Sequence, residues 1–229
     1  MLTPKKKISK REIKEDKLVS AYFEATSWYQ ENKKTVSSVF TGLVVVVFAA
    51  VVIRNNITGN NEKATSEFAK VMKYYDDGNY EAAISGVPQE NIRGLQAVVN
   101  DYGSSHAGGF AKFYLANAYF ATGNFDKALE QYLDVSVSDD LVQSSAFAGA
   151  GACYEAKGNS ADAARYYEKA AMIGKGNTQA AEHLHHAAMN FAAAGNKTRA
   201  VELLKKIKKD YPTSSVAREV EKYIAVINS

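Results

Sequence analysis

The side chains best suited to chemistry in this 229-residue chain are Glu182, His183, His185 and His186. Imidazoles beside a carboxylate can ligate a transition metal, and helical zinc sites place their two histidines at i and i+4. Here positions 183 and 186 share one face of a helix while 185 points elsewhere, so the spacing predicts structural or solvated histidines. The fourth histidine, His106, is remote in sequence. Cys153 is the single cysteine and lies between Ala152 and Tyr154, where it reads as a small buried hydrophobe and not as a nucleophile. One cysteine also excludes an internal disulfide and a cysteine-rich zinc domain. The stretch Gly103 to Gly109 (GSSHAGG) has the glycine content of a phosphate loop but lacks the Lys-Ser/Thr ending, and no strands are evident to precede it. It reads as a turn between helices. No serine, histidine and acid arrangement can be argued. The sequence therefore predicts no catalytic residue, no metal site and no cofactor.

The elements that carry these residues announce themselves by repetition, which is the feature to seek first. Four segments share the pattern Gly-Asn-x-x-x-Ala: Gly78 to Ala83, Gly123 to Ala128, Gly158 to Ala163 and Gly195 to Ala200. An aromatic stands four residues before each glycine, as Tyr74, Tyr119, Tyr154 and Phe191, and Tyr132 and Tyr167 stand four after the second and third alanines. This predicts a helix, a tight turn at a left-handed glycine and an antiparallel helix, with the alanine at the close approach of the two. A hairpin of this kind cannot bury its apolar face alone, so the copies must stack into an all-α solenoid.

The repeated pattern resembles the tetratricopeptide repeat family. Small residues that the family keeps at the inter-helix contact correspond to Ala116, Gly151 and Ala188, seven residues before each later turn glycine, and Pro212 stands where the family's terminal proline is expected. The resemblance covers about residues 62–212, implying four helical hairpins closed by a capping helix over about 215–227. The first copy is stretched, and Pro88 is expected to break its second helix between about Ser85 and Asn91. In this family the first helix of each hairpin lines a concave groove that binds protein partners. Carried over residue by residue, that groove holds Phe68, Met72 and Tyr75, then Phe110, Phe113, Asn117 and Phe120, then Ala148, Ala152 and Glu155, and finally His185 and Met189. Large aromatic and thioether side chains suit apolar polypeptide segments. Clamps for a terminal carboxylate use lysine, arginine and asparagine at these positions, and only Asn117 is of that set.

The composition, 46% apolar and 23% charged, excludes disorder throughout, but its net charge of +3 is unevenly spread. Residues 1–34 form a basic tail carrying nine Lys and Arg, among them Lys5, Lys6, Lys7, Lys33 and Lys34, against five acids. Residues 35–54 read as a transmembrane helix: Thr35 to Ile53 is uncharged over 19 residues, 14 of them apolar, and at about 1.5 Å per residue it reaches roughly 28 Å, close to a bilayer's hydrocarbon core. Lys33, Lys34 and Arg54 bracket it, and the basic excess on its N-terminal side predicts a cytoplasmic N-terminus. The tail itself could meet anionic lipid, and Glu12 to Gln30, with Ile13, Leu18, Phe23 and Trp28, has an amphipathic pattern suited to the interface. Residues 55–61 (NNITGNN) read as a short polar linker, and residues 62–229 as the repeat domain. Residues 55–229 carry a net charge of −2, so nucleic-acid binding has no electrostatic footprint.

A basic tail, the juxtamembrane run Trp28 to Lys33 (WYQENK), one span and then tetratricopeptide repeats resemble the YfgM-like family of bacterial inner-membrane proteins. That family is associated with the Sec translocon and with periplasmic chaperones. The resemblance implies an inner-membrane protein whose C-terminal repeat domain is periplasmic. Its partners would be translocon components, chaperones or exported polypeptides. The alternative is a structural adaptor of an envelope complex that binds one folded partner.

Overall fold

The computed structural model describes residues 10–176 and 179–229. Its internal contacts divide the chain into two units, Met1–Asn56 and Ile57–Ser229. The first helix, α1 (Lys10–Asp76), carries the apolar stretch Val19–Val51, which is long and apolar enough to cross a membrane and has none of its most apolar window buried. Val39, Phe40, Leu43 and the four valines from Val44 to Val47 are all exposed. Tyr22, Phe23, Trp28 and Tyr29 are exposed as well. Lys5, Lys6 and Lys7 lie outside the described residues, as do the side chains of Ile13, Leu18 and Arg54. Residues 55–61, read from sequence as a linker, are helical. No proline interrupts them, and the one glycine, Gly59, costs a helix interior only about 1 kcal/mol.

The second unit is a stack of antiparallel helix pairs. The C-terminal part of α1 turns at Gly78 into α2 (Tyr80–Ser85), and α4 (His106–Ala121) pairs with α5 (Phe125–Asp134), α6 (Asp140–Ala156) with α7 (Ser160–Ile173), and α8 (Ala180–Ala193) with α9 (Lys197–Asp210). Helix α10 (Ser215–Asn228) closes the stack against α8 and α9. One turn chemistry is used four times. Gly78, Gly123, Gly158 and Gly195 all have φ between 74° and 85°, the left-handed region that glycine enters without a Cβ penalty. The amide of the next residue, Asn79, Asn124, Asn159 or Asn196, reaches back to the carbonyl of Tyr74, Tyr119, Tyr154 or Phe191 at 2.8–2.9 Å. This is the six-to-one bond of a Schellman cap. Asn79, Asn159 and Asn196 then accept a backbone N–H in the first turn of the next helix, so one residue ends one helix and starts another. Asn124 does not cap; its amide donates to Thr122.

The alanines Ala83, Ala128, Ala163 and Ala200 are completely buried, as are Ala116 and Ala188. A Cβ on Gly151 would stand 3.0 Å from the Tyr167 ring, which explains why this inter-helix position carries no side chain. Buried Val71, Leu95, Val98 and Leu115 fill the core of the first half, and Leu184, Leu203, Leu204 and Ile207 that of the second.

The first pair departs from the regular repeat where Pro88 stands. Helix α2 stops at Ser85, and the chain forms a two-stranded antiparallel hairpin, β1 (Gly86–Val87) against β2 (Ile92–Arg93), around a single 3₁₀ turn at Pro88–Glu90. Helix α3 (Leu95–Tyr102) then resumes the second-helix layer. The expected break is present, but it contains strands that the sequence reading did not anticipate. Short β pairing satisfies the backbone groups that Pro88 and the left-handed Asn91 withdraw from a helix. The GSSHAGG stretch is a turn running into a helix: Ser105 caps α4 by accepting from the Gly108 amide at 3.0 Å, and Gly108 and Gly109 are buried inside α4. Asn61 of α1 accepts from the Ala107 amide at 2.8 Å, a second orphan donor of the same helix start.

Candidate functional site

The first-helix layer comprises the C-terminal part of α1 with α4, α6 and α8, and within it α4 also touches α6 while α8 touches α10. All the sequence-derived groove residues lie on these helices. Phe68, Met72, Tyr75, Phe110, Phe113, Asn117, Phe120, Ala148, Ala152, His185 and Met189 are half-buried, and Glu155 is exposed.

The structure gathers three of the aromatics around one residue that the sequence reading passed over. Tyr114 has its ring 5.4 Å from Phe68, 5.0 Å from Tyr75 and 5.6 Å from Phe113, the last two edge to face. Phe113 further reaches Tyr132 of α5 at 6.2 Å. Edge-to-face geometry sets the positive ring edge against a negative ring face, so these contacts add to simple burial. The resulting aromatic patch joins α1 to α4. Phe110 and Phe120 are not part of it. Phe110 packs on His106, and Phe120 packs across the turn on Phe125. Ala148, Ala152 and Met189 pack on the second core cluster, away from the patch.

Asn117 and Glu155, the polar residues read from sequence as groove-lining, are each hydrogen-bonded by a buried tyrosine. The Tyr132 hydroxyl donates to Asn117 Oδ1 at 2.6 Å, and the Tyr167 hydroxyl donates to Glu155 Oε2 at 2.9 Å. Burial raises the pKa of both phenols, and for Tyr167 the hydrogen bond to Glu155 raises it further. Both therefore stay protonated donors throughout the physiological range. The two tyrosines are visible in the sequence as the residues four after the repeat alanines; their partners are not.

The rings of His185 and His186 lie 5.9 Å apart but rest against different helices. His186 stacks on Tyr167 of α7 with ring centroids 4.9 Å apart, whereas His185 lies against Tyr223 of α10 at 4.3 Å. Among the described residues no group of three His, Cys, Asp or Glu side chains is placed to hold a metal ion. Cys153 is fully buried, and burial pushes its thiol up to about 12.

A hollow of about 380 Å³ lies between α7, α8 and α9, lined by Leu184, Leu203 and Tyr211 with the exposed Met172 at its edge. Arg199 stands at its rim, paired with Glu168 of α7 and, at 2.8 Å, with Glu202 of its own helix. Nearby, Lys169 Nζ lies 3.9 Å above the Phe147 ring, and Tyr154 and Tyr166 are stacked at 5.2 Å. Of these side chains only Tyr154 belongs to the repeated aromatic pattern of the sequence.

Comparison with known proteins agrees with this geometry. Residues 184–214 match the model of a tetratricopeptide repeat family. No curated protein matches the chain. Among solved structures, the fold is similar to a kinesin light chain candidate from Podosopora anserina built of nearly identical TPR-like repeats. It aligns at 18% identity over 73% of this chain and 86% of that one, with a TM-score of 0.52. A point variant of the same protein aligns at 17% identity over 73% and 85%, with a TM-score of 0.53. The family match identifies residues 184–214 as a tetratricopeptide repeat, and the solved structures show that the solenoid shares the fold of TPR-like repeats.

Proposed function

We propose that this chain is a membrane-anchored protein that binds a protein partner on its first-helix face. The anchor in this reading is the apolar part of α1, with the basic tail cytoplasmic and the solenoid on the opposite side of a bacterial inner membrane, in the periplasm. The observation that carries the binding role is the half-buried patch of Phe68, Tyr75 and Phe113 around Tyr114, on the same helix layer as Asn117 and Glu155. Half-buried aromatic surface on a rigid helix layer gives a large apolar contact at little entropic cost. No reaction and no cofactor enter this role.

On the resemblance to the YfgM-like family, the partner is an exported polypeptide, and the chain serves as an ancillary subunit of the Sec translocon or as a chaperone-like factor beside it. A specific observation favours a second reading. The aromatics interlock through Tyr114, and Asn117 and Glu155 are tied down by tyrosines, so the face is preorganised. Promiscuous binders use surfaces that can repack, whereas a preorganised face suits one folded partner of an envelope complex.

A photo-crosslinking residue at Met72, with a second at Met189, in the full chain in its native membrane separates the two. Many exported chains captured in low yield support the translocon-linked reading, and one protein in near-stoichiometric yield supports the adaptor. Capture from neither position contradicts a binding face there. A reporter fused after Ser229 that is active only outside the cytoplasm tests the orientation, and an inactive fusion overturns it.

A further inference from the structure

Among the described residues, the buried side-chain nitrogens without a hydrogen-bond partner are His183 Nε2 and His185 Nε2, both on α8. An imidazole nitrogen buried without a partner tolerates the neutral ring and opposes the imidazolium, whose added N–H and charge would have nothing to receive them. Of the two, His185 sits at a junction. Its ring rests 4.3 Å from that of Tyr223, which belongs to α10, the helix that closes the solenoid. The groups that act on it are Tyr223 and Glu219 from α10, and His186 and Glu182 from its own helix. On α7, Tyr167 is engaged with His186. Glu219 does not offer an idle carboxylate. Its Oε2 accepts from Lys222 and from the Tyr223 hydroxyl, each at 3.3 Å.

We infer that His185 is an acid-sensitive latch: protonation of its ring loosens α10 from α8 and uncovers the last apolar layer of the stack. That layer consists of Ala217, Val220 and Ile227, which are buried in the closed form. The physical sequence is short. The imidazolium must be hydrated, and because its unpartnered nitrogen is buried at the α10 junction, hydration requires α10 to move away. Burial lowers the His185 pKa as its largest influence, with His186 adding to the same direction and Glu219 and Glu182 opposing it. The unfolded or opened state therefore takes up the proton more readily. Closure is complete above the ordinary histidine pKa of about 6.5 and weakens as pH falls below it. The latch belongs to the terminal helix and operates whether or not the first-helix face binds a partner.

Hydrogen exchange of the full chain in detergent micelles, at pH 7.5 and pH 5.5 and corrected for intrinsic rates, tests it. Amides of α10 are expected to exchange roughly three- to tenfold faster at the lower pH, a tenfold change corresponding to one pKa unit, while α4 and α5 keep their protection. His185→Gln, which cannot take up a proton, removes the acid response; His183→Gln leaves it in place. Equal protection of α10 at the two pH values in the native chain overturns the inference, and so does an acid response that survives in His185→Gln or disappears with His183→Gln.

Discussion

The hydroxyl of Tyr132 on α5 donates a 2.6 Å hydrogen bond to Asn117 on α4, so a buried residue of the second-helix layer fixes a polar side chain of the first. Tyr132→Phe keeps the ring and deletes only that bond. Asn117 loses its donor in a half-buried setting, and a loss of about 1 kcal/mol is expected. Thermal unfolding should show a decrease in Tm of about 2–4 °C, the scale for a domain of this size. Asn117→Ala combined with Tyr132→Phe should cost less than the sum of the single changes, because the two side chains share one interaction.

Gly149 of α6 faces the same tyrosine, and a Cβ built there clashes with Cζ, Cε1 and Cε2 of the Tyr132 ring. Gly149→Ala improves helix propensity by about 1 kcal/mol, but overpacking of a filled core costs about 1–3 kcal/mol. The balance predicts destabilisation. Adding Tyr132→Leu, which vacates the ring volume, should make the alanine neutral or favourable. Chemical denaturation of the native chain, the two single variants and the double variant measures this coupling, and simple additivity would contradict the packing assignment.

Cys153 is fully buried with its thiol pushed up to about 12. Its thiolate fraction at pH 8 is then on the order of one in ten thousand, against about a quarter for a free cysteine. Labelling by a thiol reagent at pH 8 should follow the opening of the fold and become rapid only in denaturant. The sign of the linkage also follows: the folded pKa lies above the unfolded value near 8.5, so this group's contribution is present below that pH and declines as pH rises toward 12. Fast labelling of the native chain would refute its burial.

Much of the fold was legible because its repeated turns depend on local chemistry. The four glycines had to be left-handed, and the alanines that follow them had to be small, and both requirements are written at fixed spacing. The dual use of Asn79, Asn159 and Asn196 was not drawn from the same motif, although asparagine is a favoured N-cap and the signal was available. The β1–β2 hairpin was less accessible. Pro88 announced an interruption, but pairing Gly86 with Arg93 depends on how the chain rejoins α3. Residues 55–61 looked like a linker by composition, yet asparagine and glycine weaken a helix without ending it. The candidate face was legible only position by position. Which aromatics meet is decided by side-chain directions across different helices, and so Tyr114, their common neighbour, carried no mark in the sequence.

The proposal that the partner lies on the first-helix face is tested most directly by comparing crosslinking from the two layers of the solenoid in the native membrane. Photo-reactive residues placed at Met72, Glu155 and Met189 report on the first layer, and at Leu133 and Met172, exposed on α5 and α7, on the second. Partner capture from the first set is expected at several times the yield of the second. Equal yields from both, or stronger capture from Leu133 and Met172, would contradict a binding role for the first-helix face.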